Sequence, residues 1–277
     1  MKVGIIAGNG EFPLLFARAA QQKGFDVYAA AIKNEASDDV EAHCREAAWL
    51  HIGQVKKLIR FFKSHGVEDV VLVGGVKKTN VFKDIRPDTK ALAFLARMRH
   101  THDDTLLSAF ASLLEGEGFS VRASTFLVPE ILAEGGVWTR KRPSKDQLKD
   151  LSTGWHIAKE IGRLDVGQCL VMGRGSVLAV EAIDGTDATI RRGGGLGNGE
   201  SLLIKVSKPT QDMRFDVPAV GLETLKTMKE SGVTALAMEA GCAVVFNRDE
   251  MVQFADTHGM TILAVEGSPE TCPHLNS

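Results

Sequence analysis

The sequence of 277 residues lacks several features that would place it in a specialised class of proteins. Its four cysteines include no Cys-x-x-Cys pair, so their spacing predicts neither a zinc cage nor a disulfide framework. No apolar run approaches the roughly 20 residues that a membrane-spanning helix needs. The first residues lead directly into a strand pattern, without a basic and apolar signal segment. We therefore expect a cytoplasmic protein.

An excess of charge of either sign is also missing. The 33 basic and 35 acidic residues give a formal net charge of −2. Such a balance offers no global reason to bind nucleic acid. With 44% hydrophobic and 25% charged residues, the composition is that of a globular protein that can bury a sizeable core.

Common catalytic signatures are absent as well. There is no Gly-x-Ser-x-Gly elbow, no His-Glu-x-x-His helix and no kinase loop. The histidine-aspartate signatures of the common metallophosphoesterases and a Nudix-like glutamate box are not found either. Any catalysis must therefore rest on a less widespread arrangement of residues.

Short apolar runs alternate with amphipathic segments along the whole chain, which predicts an α/β fold with parallel strands covered by helices. We expect two domains, a Rossmann-like parallel-sheet domain at 1–138 and a second α/β domain at 139–277, with the active site in a cleft between them. The polar, basic segment 139–144 contains a proline and is predicted to link them. The glycine-rich run 193–199 lacks the Lys-Ser/Thr of a P-loop and is predicted to be a flexible excursion.

Two glycine turns in the first half follow predicted strands. Gly8-Asn9-Gly10 precedes a helix that starts near Pro13, so backbone N–H groups could bind a phosphate there. Gly74-Gly75, followed by Lys77 and Lys78, ends another strand, where ligands of open parallel sheets collect. For both motifs, an ordinary tight turn is the alternative.

The segment from His100 to Asp104 combines two histidines and two carboxylates, which could bind a divalent metal. Asp103 could instead cap the next helix, with Asp104 favourably placed in its first turn. We favour capping for one aspartate and keep Asp104 as a site candidate. The histidines are expected to be solvated.

In the second half, charged residues cluster around a predicted strand-to-helix junction. Glu181, Asp184, Thr186 and Asp187 lie just before Arg191 and Arg192 on the helix. Carboxylates can hold a metal or position water, and cations can absorb developing charge, so this mixture fits phosphoryl chemistry. The alternative is a helix cap with two exposed arginines.

A second dense polar stretch follows the next apolar strand. It runs from Lys205 through Lys208, Asp212 and Arg214 to Asp216, on backbone that two prolines make irregular. An ordinary connection rarely carries so many charges between core elements, so we interpret this stretch as functional. A solvated loop is the alternative.

Several motifs in this order resemble the LpxI-type UDP-2,3-diacylglucosamine diphosphatases of lipid A biosynthesis. The resemblance starts at the first glycine turn and extends nearly to the C-terminus. The motifs are Gly4-Ile-Ile-Ala-Gly8-Asn-Gly10, Ile161-Gly-Arg-Leu-Asp165-Val-Gly167-Gln168, Val180-Glu181-Ala-Ile-Asp-Gly185-Thr186-Asp187, Lys205-Val-Ser-Lys208-Pro209-Thr-Gln211-Asp212, Arg214-Phe-Asp216-Val-Pro218-Ala-Val-Gly221 and Met238-Glu239-Ala-Gly241.

The resemblance implies an enzyme, assisted by Mg²⁺, that hydrolyses UDP-2,3-diacylglucosamine to UMP and 2,3-diacylglucosamine 1-phosphate (lipid X). Water would attack the phosphorus on the uridine side. A nucleotide-binding N-terminal domain and a lipid X-binding C-terminal domain are implied, with transient contact at the cytoplasmic face of the inner membrane. A homodimer is compatible with this picture, and the resemblance does not fix the acyl-chain preference.

The resemblance also implies roles for particular residues. Asp216, with Asp187, would be catalytic, and Asp216 would either ligate Mg²⁺ or orient the attacking water. The substrate-binding residues are divided between the two ends of the substrate. They are Gln168, Thr186, Asp187 and Lys205 for the sugar phosphate, and Gly10, Glu11, Gly74 and Gly75 for the nucleotide side, with Asp104 joining the site from across the cleft. The mixture of charges described above adds Arg191 to the substrate-binding residues.

Two other functions are compatible with the residues. The first glycine turn alone is also compatible with an NAD-dependent oxidoreductase, although Pro13 stands where the third glycine of the dinucleotide fingerprint would be. A non-catalytic sensor that binds a nucleotide sugar and signals through a partner is the third hypothesis.

Overall fold

The computed structural model describes residues 1–76, 85–97, 103–209, 211–214 and 217–272, except the side chains of 97 and 103–105. The chain forms two compact units. The first comprises Met1–Pro129 and, from the segment Asp212–Asp216, the described residues 212–214. The second comprises the described residues of Glu130–Gln211 and Val217–Ser277. The expectation of an α/β protein in two parts is confirmed, with the division after Pro129 rather than after residue 138.

The first unit is built on a parallel sheet of five strands, in the order β3-β2-β1-β4-β5. The strand order reverses beside β1, because β2 and β3 lie on one side of it and β4 and β5 on the other. In open α/β sheets such a switch point marks the edge where ligands bind. The strands are β1 (Lys2–Ala7), β2 (Asp26–Ile32), β3 (Glu46–Leu50), β4 (Asp69–Val73) and β5 (Ser120–Arg122).

Helices with one apolar face cover this sheet, as burial of a parallel sheet requires. In α2, Leu58, Ile59 and Phe62 recur at helical spacing, and all three are buried in the core. Pro13 lies in the first turn of α1, where its missing N–H costs no hydrogen bond. The helices are α1 (Phe12–Gln22), α2 (Val55–Ser64), α3 (Thr89–Arg97) and α4 (Asp103–Gly116).

The second unit contains a mixed sheet of six strands in the order β6-β13-β11-β9-β7-β8. Strands β9, β11 and β13 are parallel, whereas β7 is antiparallel to both β9 and β8, and β6 is antiparallel to β13. Strands β10 and β12 form a separate parallel pair. The strands are β6 (Gly136–Val137), β7 (Cys169–Gly173), β8 (Ser176–Val180), β9 (Ser201–Lys205), β10 (Ala219–Val220), β11 (Val233–Glu239), β12 (Val244–Val245) and β13 (Thr261–Val265).

Four helices pack around this sheet, with separate apolar clusters on its two faces. Helix α5 begins with a capping box, in which the Ser144 hydroxyl accepts the Gln147 N–H and the Gln147 side chain accepts the Ser144 N–H. Its Leu151 and Trp155 are buried against the sheet. The helices are α5 (Lys145–Arg163), α6 (Gly185–Gly197), α7 (Leu222–Ser231) and α8 (Arg248–Thr257).

The segment 139–144 is an integral part of the second unit. The Thr139 hydroxyl accepts the Ile262 N–H at 3.1 Å, and the Arg140 N–H donates to Asp256 Oδ1 at 2.8 Å. These contacts tie the segment to β13 and α8. Residues 136–137 already pair with β13, which explains why the division between the units falls earlier in the chain.

The prediction that the glycine run is a flexible excursion is wrong for 193–197, which form the last turns of α6. These glycines allow the helix to approach its neighbours more closely than a side chain would permit. A Cβ on Gly193 would lie 2.4 Å from the Val171 Cβ, and one on Gly194 would lie 2.1 Å from the Ser231 carbonyl oxygen. Glycine lowers helix propensity by about 1 kcal/mol relative to alanine, and close packing of α6 compensates for that loss.

The turns that follow β1 and β4 are bonded to each other. The Asn9 N–H donates to the Gly75 carbonyl at 2.7 Å, and the Gly75 N–H donates to the Asn9 carbonyl at 3.3 Å. Gly74 has a φ of +82°, and a Cβ there would lie 2.4 Å from the Asn9 carbonyl oxygen.

Among the described residues, no helix is both long and apolar enough to span a bilayer.

Replacing Gly74 with alanine should therefore destabilise the first unit by about 2–5 kcal/mol, through backbone overlap and left-handed strain together. Urea unfolding followed by circular dichroism measures this change. Gly116→Ala is the matched control, because Gly116 has open space around its Cβ position and no positive φ. Equal stability of the two variants would contradict the packing of these turns.

Candidate active site

One edge of the second sheet collects polar side chains from four strands. Strands β8, β9 and β11 end at this edge, and the antiparallel β7 begins there, with Cys169 opposite Lys205. Gln168 and Glu181 flank the ends of β7 and β8, and Glu239 is the last residue of β11. The topology therefore brings together residues that lie far apart in the sequence.

The centre of this edge is a buried lysine within a chain of hydrogen bonds. Lys205, only 6% exposed, donates from Nζ to the Ala219 carbonyl at 2.9 Å and to Thr186 Oγ1 at 3.3 Å. Thr186 Oγ1 donates to Glu181 Oε1 at 2.7 Å, and the Gln168 N–H donates to Glu181 Oε2 at 2.8 Å. We refer to Gln168, Glu181, Thr186 and Lys205 as the anion cluster.

The side-chain oxygen of Gln168 is buried and has no hydrogen-bond partner among the described residues. A buried acceptor without a donor loses the hydrogen bonds that it makes to water, at a cost of about 1–3 kcal/mol. A hydroxyl or amide of a ligand could supply the missing donor. Gly167 allows this approach of the loop, since a Cβ there would lie 2.3 Å from the Glu181 carbonyl oxygen.

The two arginines of α6 have different environments. Arg192 pairs with Asp184 and donates from Nη2 to the Val180 carbonyl at 2.7 Å, so it holds the start of the helix to the end of β8. Arg191 and Asp187 are exposed, and within the described part of the chain neither forms a salt bridge. Their spacing of four residues places them on one side of α6.

Cys169, the first residue of β7, lies against the anion cluster and is itself almost completely buried. Burial raises the pKa of its thiol to about 12, and the negative charge of Glu181 contributes in the same direction. Nearby Lys205 and Thr186 act in the opposite direction without cancelling this effect. The thiol therefore stays protonated throughout the physiological range.

A second network lies beside the anion cluster, and sequence reasoning did not single it out. Lys159 Nζ donates to Glu239 Oε1 and Oε2 at 2.8 and 2.6 Å, and also to the Ser207 carbonyl at 3.0 Å. The N–H and hydroxyl of Ser207 donate to Glu239 Oε2 at 2.8 and 2.6 Å. The signal available in the sequence was their position: Glu239 is the last residue of β11, and Ser207 comes two residues after the end of β9.

In the first unit, Asp212 and Arg214 form a tight ion pair. Arg214 donates to both carboxylate oxygens of Asp212 at 2.7–3.0 Å and to Glu115 Oε1 on α4 at 2.8 Å. The hydrogen bonds from Arg214 lower the pKa of Asp212. These two charges of the predicted functional stretch therefore stabilise its backbone. Asp216 itself lies outside the described residues.

The nucleotide-side candidates occupy the carboxyl edge of the first sheet. Gly74 and Gly75 pack against the turn after β1, where Gly75 exchanges backbone hydrogen bonds with Asn9. Gly10 instead has a φ of +89° and open space around it, and Glu11 is exposed immediately before α1. Both residues lie at the N-terminus of α1, where the sequence predicts a bound phosphate.

Other candidates fall outside the described residues or side chains. The side chain of Asp104 is one of them, although its backbone lies in α4. Lys77, Lys78, His100 and His102 are the others. No group of three or more His, Cys, Asp or Glu side chains suited to holding a metal occurs among the described residues.

Comparison with known proteins places the chain in a family. The family model described as the LpxI N-terminal domain matches residues 2–131, and that of the LpxI C-terminal domain matches 134–263. The chain belongs to the LpxI family. A curated relative, the UDP-2,3-diacylglucosamine pyrophosphatase LpxI of Caulobacter vibrioides, is 30% identical over 276 residues, covering 96% of this chain and 98% of its own length.

Solved structures show only slight similarity to the whole chain. The biotin carboxylase domain of Hydrogenobacter thermophilus 2-oxoglutarate carboxylase is 17% identical and covers 63% of this chain, with a TM-score of 0.27. Glycinamide-RNase-transformylase T of Mycobacterium tuberculosis is 15% identical and covers 66%, with a TM-score of 0.24. The chain spans 35% and 41% of those structures, and superpositions of this quality carry no information about its activity.

The LpxI resemblance seen in the sequence is thus confirmed, and its residues divide by position. Gln168, Thr186 and Lys205 meet in the anion cluster of the second unit. Asp187 and Arg191 lie on the helix that carries Thr186. Glu181, which the sequence motif contained without an assigned role, connects Gln168 to Thr186.

The environment of Cys169 predicts low thiol reactivity. At pH 8 the native protein should leave Cys169 unlabelled by iodoacetamide, because the thiolate is the nucleophile and a pKa of about 12 suppresses it. Peptide mass spectrometry measures the labelling. Protein unfolded in urea is the control, in which the pKa returns to about 8.5 and Cys169 should react. Rapid native labelling would contradict the burial of this strand end.

Proposed function

We propose that the chain hydrolyses the diphosphate bond of UDP-2,3-diacylglucosamine to UMP and lipid X, a step of lipid A biosynthesis. LpxI family membership and the named activity of the Caulobacter vibrioides relative support this proposal. The structural observation that carries it is the buried Lys205 ammonium, which lies beside the Thr186 hydroxyl at a sheet edge. A buried cation with a hydroxyl partner suits a phosphate group.

The second unit binds the sugar phosphate in this proposal. Lys205 and Thr186 bind the phosphate oxygens, and the unpaired oxygen of Gln168 accepts a hydrogen bond from the sugar part. Glu181 keeps the Thr186 hydroxyl in place through its 2.7 Å hydrogen bond. The exposed guanidinium of Arg191 supplies additional positive charge, which stabilises charge that develops on the phosphoryl oxygens.

The first unit binds the nucleotide part. Its parallel sheet acts in a Rossmann-like manner, with Gly10 and Glu11 at the N-terminus of α1 and Gly74 and Gly75 on the neighbouring strand. Asp104 contributes from the start of α4. The positive end of the α1 dipole favours a phosphate at this turn.

Asp216 and Asp187 are the proposed catalytic carboxylates. Mg²⁺ prefers one or two carboxylates together with phosphate oxygens and water, and Asp187 offers an exposed carboxylate in the first turn of α6. When bound, Mg²⁺ would neutralise charge on the diphosphate. Asp216 would ligate it or orient the water that attacks the uridine-side phosphorus. The expectation of an active site in a cleft between domains stays a prediction.

The location follows from the substrate. UDP-2,3-diacylglucosamine carries two acyl chains, so the enzyme would meet it by transient contact with the cytoplasmic face of the inner membrane. The charge of the whole chain, −2, offers little electrostatic attraction to anionic lipid, so such contact would depend on local surfaces.

Incubation of the purified protein with UDP-2,3-diacylglucosamine and Mg²⁺ in detergent micelles tests the function. Formation of UMP and lipid X is expected, and in ¹⁸O-labelled water the label should appear in UMP. Label in lipid X would refute attack on the uridine side. Binding without turnover would favour a nucleotide-sugar sensor, and tight binding of NADH instead of UMP would favour an oxidoreductase.

Asp216→Ala should retain substrate binding and lose turnover on the order of 10³-fold, because it removes a group that acts in the transition state. Initial rates and equilibrium binding are measured on the same preparation. Asp146→Ala is the control, since Asp146 is an exposed carboxylate at the start of α5 with an 86% exposed side chain. Near-normal turnover of Asp216→Ala in the presence of Mg²⁺ would remove its assigned role.

Lys205→Met should weaken lipid X binding by roughly tenfold or more, because a hydrogen bond between charged groups is lost while the apolar stem is kept. Calorimetry with lipid X in micelles measures the affinity, and thermal unfolding checks that the variant is folded. Lys226→Met, at an exposed lysine paired with Glu223 on α7, is the matched control. Unchanged affinity in a folded Lys205→Met protein would refute the anion cluster as the phosphate site.

A further inference from the structure

Three exposed apolar side chains border the anion cluster, and we refer to them as the apolar rim. Leu164, Val166 and Ile183 are 62%, 49% and 92% exposed. The first two lie between α5 and β7, and Ile183 lies between β8 and α6. A single exposed aliphatic residue is ordinary on a protein surface, whereas several on adjoining loops mark an interaction site. The proposed hydrolysis assigns no role to them.

The turn at the end of α5 fixes the first two side chains of the rim. The Val166 N–H donates to the Ile161 carbonyl at 3.2 Å, and the Asp165 N–H donates to the Gly162 carbonyl at 3.0 Å. With Asp165 at a left-handed φ of 56°, these bonds form a Schellman motif. The residue at the position of Val166 commonly packs back onto the helix, but here its side chain stays half exposed.

A second turn carries the third side chain, and the two turns are in contact. The Gly185 N–H donates to the Ala182 carbonyl at 3.1 Å, which places Ile183 at the corner of a tight turn. A Cβ on Gly167 would lie 2.3 Å from the Glu181 carbonyl oxygen, so the loop before β7 packs directly on the loop after β8. The apolar rim is therefore held outward by hydrogen-bonded backbone.

The same two loops carry residues of the anion cluster. Val166 precedes Gln168 by two residues, and Ile183 precedes Thr186 by three. Consecutive Cα atoms are 3.8 Å apart, so rim and cluster lie within roughly 8–11 Å of each other. Apolar side chains of interfacial proteins enter about 5–10 Å into the boundary between lipid headgroups and acyl chains. A rim at that depth would bring the anion cluster to the level of the lipid phosphates.

The charged side chains beside the rim form ion pairs with one another. The pairs are Arg163 with Glu160, Lys208 with Asp165, and Arg192 with Asp184. Each pair combines opposite charges, so these side chains supply no net attraction to an anionic membrane. Apolar transfer is the force that this surface offers to a lipid bilayer.

We propose that the apolar rim inserts into the headgroup region of a lipid bilayer and presents the anion cluster to lipid phosphates. The inference rests on the proposed function, because it takes the ligand of the anion cluster to be a lipid embedded in that bilayer. Three aliphatic side chains suffice only for reversible binding, since even one myristoyl chain holds a protein marginally. The rim thus identifies the surface through which transient membrane contact occurs.

Flotation of the purified protein with phosphatidylcholine vesicles that contain no substrate tests this surface. The wild-type protein should float with the vesicles, and added salt should change the bound fraction little, because the contact is apolar. Leu164→Ser combined with Ile183→Ser should lower the partition coefficient roughly tenfold, because two large aliphatic side chains no longer enter the bilayer. Because the vesicles contain no lipid X, acyl chains of a bound ligand cannot account for the binding.

Three results would overturn the proposal. They are a wild-type protein that stays free of vesicles, wild-type binding that salt abolishes, and a folded double variant that binds as the wild type does. Should the double variant fail to fold in a thermal unfolding scan, Ile183→Ser alone is tested. Its side chain is 92% exposed, so this substitution removes no core packing, and binding should fall severalfold.

Val177→Ser combined with Leu196→Ser is the matched control. Leu196 is 64% exposed, as Leu164 nearly is, and Val177 is 39% exposed. Both control residues lie at the opposite ends of β8 and α6 from Ile183. This variant should keep the wild-type partition coefficient. An equal loss in the control would show that any exposed aliphatic residue contributes, which would also overturn the assignment to the rim.

Vesicle binding without substrate is independent of turnover, so failure of this proposal differs from failure of the proposed function. A protein that hydrolyses UDP-2,3-diacylglucosamine, while the double substitution leaves vesicle binding unchanged, refutes only the rim. A protein that binds vesicles through the rim, yet neither binds lipid X nor hydrolyses the substrate, refutes the proposed function. With substrate in vesicles, the double variant should raise KM and leave kcat near the wild-type value, because docking precedes bond cleavage.

Discussion

One edge of the second sheet is organised by hydrogen bonds to the Lys205 side chain, which almost no water reaches. Burial of an uncompensated ammonium would cost several kcal/mol, so the fold must supply acceptors from different parts of the chain. It does so with the Ala219 carbonyl and the Thr186 hydroxyl, and Glu181 completes the chain. These acceptors come from β10, α6 and the end of β8, and the requirement to satisfy one cation fixes three elements relative to one another.

At the same edge, two neighbouring lysines have their charge compensated in different ways. The acceptors of Lys205 are a carbonyl and a hydroxyl, and in the part of the chain that the structure describes no carboxylate contacts the ammonium directly. The neighbouring network differs, because Glu239 contacts Lys159 directly with both oxygens and neutralises it. One lysine is therefore paired directly with a carboxylate, and the other, among the described residues, is not.

Periodicity predicted much of the fold, and the failures have identifiable causes. Strands such as β2 and β13 are recognisable from the sequence, because both are continuous apolar runs bounded by polar residues. Strand β3 is not recognisable in this way, since Glu46–Leu50 is an edge strand without a long apolar run. Helix α8 gives only a weak signal because its sequence is mostly polar, with Met251 and Ala255 as its buried residues.

For the site, the resemblance to the LpxI family implied Gln168, Thr186 and Lys205, and residue chemistry alone had marked only Thr186 and Lys205. Nothing in the spacing showed that Glu181 would connect two of them, because that contact depends on β7 and β8 being neighbours. Likewise, Arg191 and Arg192 are equivalent in the sequence, and only the helix phase separates them.

The glycine-rich end of α6 links the integrity of the anion cluster to the packing of the whole unit. A segment with glycines at 193–195 and 197 has little tendency to be helical in water, so α6 persists because it is docked on β7 and α7. Thr186 lies on the first turn of that same helix. Any local opening that undocks α6 would therefore remove the hydroxyl from Lys205, and the proposed phosphate site would be lost before the rest of the unit unfolds. A ligand bound at this edge would then stabilise the docked form of α6, and stable docking of α6 would in turn favour binding of the ligand.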